Sequence, residues 1–215
     1  MKGGSGLSEN NYYTTVEREA SAEFEERRSL FIGYAKPVKS AEEAMEFVKQ
    51  KKREHMDATH NVFAYLLEGG RVAKYSDDGE PQGTAGMPVL DTIRKSGVDG
   101  VCVVVTRYFG GILLGAGGLV RAYAHGAKIA LEAANIITYE KYEVFSLNCG
   151  YSEYQKFLPL LSSYGALIDD TVFEADVKIV FAVKTGVADK LIPKISEISF
   201  GKYLPIKDGE RFDYR

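Results

Sequence analysis

The sequence predicts an α+β protein of two domains, with the boundary near residue 140. Before that point, an unbroken run of mostly β-branched residues, GVCVVVTRY, precedes a long amphipathic helix. Such a run is typical of a strand that is buried on both faces. After that point, the block at residues 156–161 returns in weaker form at 190–195, each time behind a strand-like run. Two units of this kind predict a ferredoxin-like split βαβ domain.

We therefore divide the chain into a disordered, Gly/Ser-rich segment (1–11), an N-terminal βαβ-type domain (12–138) and a ferredoxin-like C-terminal domain (139–215). The net charge is −3, with 27 basic and 30 acidic residues. No overall basic field therefore draws the protein to nucleic acid, and any such contact must use a local patch. Both cysteines lie in apolar runs and are expected as buried, reduced thiols. No apolar run is long enough for a membrane span, so we expect a soluble, cytosolic protein.

The first elements follow from local patterns. Residues 12–15 and 22–35 favour strands. Ser40 begins a helix, because Glu43 three positions later completes a capping box. Two apolar runs around Gly69 and Gly70 then predict a hairpin.

An acidic, Gly/Pro-broken loop, DDGEPQGTAGMP, leads into a short helix near residues 89–95. The buried strand ends at Tyr108, and the longest helix starts near Gly117. The inward face of this helix includes Leu119, Ala122 and Tyr123, and its outward stripe is Arg121, His125, Lys128 and Glu132. In the second domain, Ser152 and Gln155 form a further predicted capping box.

A glycine-rich loop connects the buried strand to the longest helix. It contains Gly110, Gly111, Gly115, Gly117 and Gly118. Its N–H groups lie at a helix N-terminus, which attracts anions. The motif lacks the Lys-Ser/Thr of a Walker A loop, and Val120 stands where a dinucleotide fingerprint has its third glycine.

Arg107 and Arg121 flank this loop. A cation in the first turn of a helix opposes the dipole unless an anion lies nearby. That anion is either external, a phosphate of RNA or a nucleotide, or internal, from Asp77, Asp78 and Glu80. The sequence slightly favours the internal pairing, and both interpretations place the two stretches close together. The sequence offers no catalytic or metal constellation and implies no cofactor, although the acidic loop has the chemistry to hold Mg²⁺.

Three stretches, HNVFAYL, DDGEPQGTAGMPVL and VVVTRYFGGILLGAGGLVRAY, closely resemble the IMPACT/YigZ family in the expected order. The resemblance implies that the first domain is similar to domain IV of elongation factor G and to a domain of a small-subunit ribosomal protein. It implies that the second domain is similar to domain V of that factor. The family's signature surface then includes His60, Asn61, Asp77, Asp78, Glu80, Thr106, Arg107, Gly110, Gly111, Gly117, Gly118 and Arg121.

The eukaryotic relative is a translation regulator with an additional N-terminal domain, for which we expect no room in this chain. The leading hypothesis is a non-enzymatic, translation-associated protein that binds RNA or a ribosomal partner through the loop. The alternatives are an enzyme that acts on a phosphorylated small molecule or nucleotide with Mg²⁺, and a protein–protein regulator. The oligomeric state is left open by the sequence.

Overall fold

The computed structural model describes residues 11–214, so the predicted disordered segment lies outside it except for Asn11. The chain divides into two compact units between Thr138 and Tyr139. It contains five helices and two antiparallel sheets in the part that the structure describes, which is an α+β architecture. No helix within residues 11–214 combines the length and the apolar character needed to cross a bilayer.

The N-terminal unit is built on a five-stranded sheet of order β2-β3-β6-β4-β5. Strands β3 and β4 both run antiparallel to β6 and are therefore parallel to each other, with helix α1 between them in the chain. The predicted βαβ unit is thus present in a split form, with β6 inserted. The elements are β1 (Tyr12–Val16), β2 (Ala20–Glu26), β3 (Ser29–Pro37), α1 (Ala41–Glu54), β4 (His60–Leu67), β5 (Val72–Ser76), α2 (Gly86–Lys95), β6 (Val101–Tyr108) and α3 (Ala116–Ala133).

Helices cover both faces of this sheet, which is why β6 consists of apolar residues on both sides. Val103 and Val105 belong to a core that α2 and α3 complete, whereas Cys102 and Val104 pack with α1. The burial of β6 on both faces is confirmed. The free thiol of Cys102 is buried, as predicted, and burial raises its pKa.

Several local predictions are confirmed. Ser40 caps α1 by accepting a hydrogen bond from the N–H of Glu43 at 3.2 Å. The hairpin around Gly69 joins β4 to β5. Residues 22–35 form strands as predicted, except at Arg27 and Arg28, where the chain turns from β2 to β3 with φ values of 47° and 63°.

The C-terminal unit has the element order βαββαβ, which is that of ferredoxin-like domains. Its strands lie in the order β10-β7-β9-β8, with all neighbours antiparallel. At its start, β7 also pairs with β1, and Thr14 Oγ1 lies 2.9 Å from Thr138 Oγ1 in the first unit. The elements are β7 (Ile136–Cys149), α4 (Tyr151–Ser163), β8 (Leu167–Phe173), β9 (Val177–Lys184), α5 (Ala188–Ile198) and β10 (Ile206–Asp213).

The capping box predicted at Ser152 and Gln155 is wrong. Gly150 is the N-cap of α4, and the Ser152 hydroxyl donates to the neighbouring carboxylate of Glu153 at 2.8 Å. Pro159 and Pro193 both lie inside helices.

Candidate functional site

Four signature residues meet at one end of the pairing between β4 and β6. His60 lies opposite Arg107, and Asn61 lies opposite Thr106. Because side chains alternate along a strand, His60 and Arg107 share the face covered by α2 and α3, and Asn61 and Thr106 share the other face. The sheet therefore sorts these residues into two polar groups.

On the α2–α3 face, the Glu80 carboxylate is the centre of a buried polar cluster. Glu80 Oε1 accepts hydrogen bonds from Arg107 Nη1 and from the Tyr123 hydroxyl, each at 2.7 Å. His60 Nε2 lies 3.7 Å from the same oxygen. Arg107 is only 5% exposed and Glu80 8%. The acidic loop and the strand before the glycine loop do lie together, as the sequence predicts.

The structure thus places Arg107 on the internal carboxylate rather than at the surface. Its Nη2 also donates to Ser29 Oγ at 3.4 Å, and its Nε has no hydrogen-bond partner in the described part of the chain. The guanidinium contacts two aromatic rings and lies 5.5 Å from the centre of the Phe31 ring and 5.3 Å from that of the Phe109 ring. A buried charge of this kind is held by its ionic and aromatic partners together.

Burial also acts on Tyr123, which the sequence placed in the core of α3. The pKa of Tyr123 is raised well above its usual value. Burial is the larger cause, and the hydrogen bond that the hydroxyl donates to Glu80 is the second. A carboxylate that accepts from a neutral hydroxyl favours the protonated form of that hydroxyl. Tyr123 is therefore a neutral donor to Glu80.

The other two carboxylates of the acidic loop hold the loop in shape. Asp77 accepts from the N–H groups of Gly83, Ala85 and Gly86 at 2.8–3.1 Å, where α2 begins. This satisfies donors that a helix N-terminus leaves free.

Asp78 bonds across to the neighbouring elements. Its carboxylate accepts from the N–H of Asn61 at 2.6 Å and from the Lys52 ammonium. Its backbone carbonyl accepts from His60 Nδ1 at 2.8 Å, so Nδ1 of that ring carries a proton. Within residues 11–214, no three His, Cys, Asp or Glu side chains are grouped as metal ligands.

On the α1 face, Asn61 and Thr106 continue the network. The Thr106 hydroxyl donates to Asn61 Oδ1 at 2.7 Å, and Asn61 Nδ2 donates to the His55 carbonyl at 3.2 Å. The His55 ring lies between two tyrosines, 2.6 Å from the Tyr34 hydroxyl and 2.8 Å from that of Tyr108. Most signature side chains are thus internal contacts that hold the acidic loop on the sheet.

The exposed part of the site is the glycine loop, residues 109–118. Its base is fixed, because the N–H of Phe109 donates to Thr59 Oγ1 at 3.0 Å and that of Gly110 donates to Ser29 Oγ at 3.2 Å. Gly110 lies so close to the backbone of Arg28 that a Cβ at Gly110 would come within 1.9 Å of the Arg28 carbonyl oxygen. Further along, Ile112 and Leu113 are exposed. The loop is an anchored protrusion.

The loop ends where α3 begins. Gly115, with φ 73°, is the N-cap, and it provides no side chain to cap the first N–H groups. Gly111 also has a positive φ, of 84°. Arg121 is exposed and takes part in no ion pair among residues 11–214. Its Nη1 would lie 3.8 Å from a Cβ at Gly117, so this guanidinium lies over the first turn.

Two further cations that the sequence did not indicate lie beside this loop. Arg27 and Arg28 form the β2–β3 turn and are exposed, and Arg27 Nη1 donates to the Leu113 carbonyl at 3.2 Å. We call Arg27, Arg28, Arg121 and the glycine loop the loop surface. The signal that could have revealed the pair is the charged break, EERR, inside an otherwise alternating strand pattern.

Fold and site together define a two-unit α+β protein in which a buried ionic cluster lies beneath an exposed glycine loop, and three arginines lie beside that loop. The model of the Impact N-terminal domain matches residues 27–131, and that of a domain of unknown function (DUF1949) matches residues 147–202. The chain belongs to the IMPACT family.

Its bacterial relatives are similar along most of their length. IMPACT family member YvyE of Bacillus subtilis is 34% identical over 92% of this chain and 91% of its own. IMPACT family member YigZ of Escherichia coli is 33% identical over 81% of this chain and 87% of its own. A solved structure titled only as a hypothetical protein has a TM-score of 0.59 at 30% identity and covers 92% of this chain and 97% of its own.

Proposed function

We propose that this protein is a non-enzymatic, cytosolic, translation-associated protein that binds RNA through the loop surface. The observation that carries the proposal is the group of three exposed arginines, Arg27, Arg28 and Arg121, around uncapped backbone N–H groups. Guanidinium groups and helix N-termini are the donors that proteins use most on phosphate oxygens. This local patch is positively charged although the net charge of the whole chain is negative.

In this proposal Arg107 supports the surface rather than binding phosphate. Its charge is already neutralised by Glu80 at 2.7 Å, and it is almost fully buried. An external phosphate would have to replace a buried carboxylate, at a cost of several kcal/mol. We therefore assign the phosphate contacts to Arg121, as proposed from the sequence, and to Arg27 and Arg28 in the β2–β3 turn.

Magnesium-dependent catalysis is the weaker alternative. To bind Mg²⁺, Asp77 would have to give up its N–H partners at the start of α2. Asp78 would have to give up the N–H of Asn61 and the Lys52 ammonium. If Glu80 bound the metal ion, Arg107 and Tyr123 would be left without their partner in the interior. Each step leaves a polar group without a partner, which costs about 1–3 kcal/mol or more.

The ribosome is the RNA partner that this proposal names. The resemblance implies domains similar to domains IV and V of elongation factor G, a translation factor. The ferredoxin-like element order of the second unit agrees with that likeness.

The test is a titration of labelled RNA at several salt concentrations. The variant Arg27→Ala/Arg28→Ala/Arg121→Ala is compared with Lys39→Ala/Lys49→Ala/Lys74→Ala, which removes three exposed cations elsewhere in the same unit. Removing three phosphate contacts lowers the slope of log K against log salt by about 2 to 3. The lysine variant keeps the wild-type slope. Wild-type protein that binds no RNA, or equal slopes in both variants, overturns the proposal.

Protein docking is a second candidate because the loop also exposes aliphatic side chains. Leu113 is 79% exposed and Ile112 40%. Exposed apolar groups surrounded by polar residues mark protein interfaces. Affinity capture with and without nuclease separates the two, since a protein partner survives nuclease treatment and an RNA-bridged one is lost.

A further inference from the structure

We infer that the nucleic acid bound at the loop surface is single-stranded, and that Phe109 is the platform on which one unpaired base stacks. This inference rests on the proposed function, because it names the substrate class of the same surface. The observations that carry it are the position of the Phe109 ring over the buried Arg107 guanidinium and the fixed backbone around that ring.

Phe109, the first residue after β6, is a large aromatic side chain that stays 44% exposed. The centre of its ring lies 5.3 Å from the Arg107 guanidinium, which belongs to the buried ionic cluster, and this is a cation–π contact. Core burial does not explain a ring that leaves almost half of its surface in water. A ring that contacts a fixed cation and stays largely exposed can accept a flat partner.

The backbone that carries the ring is held in place before any ligand arrives. The Phe109 N–H bonds to Thr59 Oγ1, and the next residue, Gly110, lies against the backbone of Arg28 with no room for a Cβ. Arg107 itself is fixed by Glu80 and Ser29. A fixed platform loses little conformational entropy on binding, which favours affinity.

The charges beside the ring fit the backbone of the same strand. Arg28 adjoins Gly110, and Arg27 donates to the Leu113 carbonyl within the same loop. A stacking ring next to guanidinium groups is the arrangement by which proteins hold single strands without reading their sequence. In a duplex each base face is covered by its neighbours, so a ring can stack only on an unpaired base.

The experiment measures the affinity of the full chain for a labelled single-stranded RNA of about twelve nucleotides without self-complementarity. The same RNA annealed to its complement is the second probe. We expect Phe109→Ala to weaken single-strand binding about 5- to 150-fold and to leave duplex binding unchanged. Phe109→Tyr and Phe109→Trp keep the wild-type affinity, because each retains a flat ring.

The matched control is Phe173→Ala, which removes an aromatic ring with 54% exposure from the C-terminal unit. It should bind as the wild type does. Unchanged single-strand affinity in Phe109→Ala, or full affinity in Phe109→Leu, overturns the stacking role, since leucine retains apolar contact without a π-face. If those variants still show a salt-dependent affinity that Arg27, Arg28 and Arg121 control, the proposed function stands and only this inference fails.

Discussion

Arg107 and Glu80 form an ion pair of 2.7 Å in which both side chains are almost fully buried. The pair joins β6 to the acidic loop, and through Tyr123 it also joins the loop to α3. Three separate stretches of the sequence therefore depend on one carboxylate. This explains why the acidic loop carries a distinct motif although its Glu80 carboxylate is almost fully buried.

Replacing Arg107 with alanine should cost about 3–5 kcal/mol of unfolding free energy, because Glu80 is left as an uncompensated buried charge. Urea unfolding followed by circular dichroism measures this loss. The double variant Arg107→Met/Glu80→Gln should recover part of it, since no charge is then buried and the new side-chain amide still accepts from Tyr123. A loss below about 1 kcal/mol for Arg107→Ala would mean that water reaches Glu80.

The control for that experiment is Arg94→Ala. Arg94 makes a long ion pair of 3.8 Å with Asp91, and both side chains are about half exposed. Exposed pairs contribute little, so the change should stay within about 0.5 kcal/mol. A similar loss in both variants would show that burial is not the cause.

Periodicity and capping signals were enough to predict much of the fold. The buried strand β6, the inward face of α3 at Leu119, Ala122 and Tyr123, and the cap at Ser40 follow from patterns within one segment. The turn at Arg27 and Arg28 could not be predicted in this way, because two residues with positive φ lie inside a strand-like pattern. Only the pairing of β2 with β3 makes that turn necessary.

The site was harder to predict than the fold. Spacing placed Arg107 beside the acidic loop but left its partner open, because the choice between Glu80 and an external phosphate depends on burial. Arg107 lies opposite His60 only once β4 and β6 pair. The sequence similarly indicated Tyr123 as a core residue and gave no sign that its hydroxyl would reach Glu80.

The stability of the N-terminal unit should fall as the pH rises above about 10, in part because of Tyr123. The usual tyrosine pKa is 10.0, and burial together with the bond to Glu80 raises that of Tyr123. Above pH 10 the unfolded chain loses this proton while the folded chain retains it, so unfolding becomes more favourable. One such group contributes up to about 1.4 kcal/mol per pH unit.

The measurement is urea unfolding between pH 9 and 11 for the wild type, Tyr123→Phe and Tyr12→Phe. Tyr123→Phe should lose stability at neutral pH through the missing hydrogen bond, by about 1–3 kcal/mol, but should show a shallower decline at high pH. Tyr12 is 58% exposed, so its variant should follow the wild type. Parallel curves for all three would show that the Tyr123 proton is not linked to folding.

Two glycines in the same loop should respond in opposite directions to alanine. A Cβ at Gly110 would lie 1.9 Å from the Arg28 carbonyl oxygen, a backbone atom that cannot turn aside. Gly117 meets only the flexible end of Arg121 at 3.8 Å and lies in the first turn of α3. Thermal unfolding should therefore show Gly110→Ala destabilised by about 1–3 kcal/mol and Gly117→Ala unchanged or stabilised by up to about 1 kcal/mol. Equal midpoints for the two variants would show that the loop does not lie against Arg28, and the support that we infer for Phe109 would then be absent.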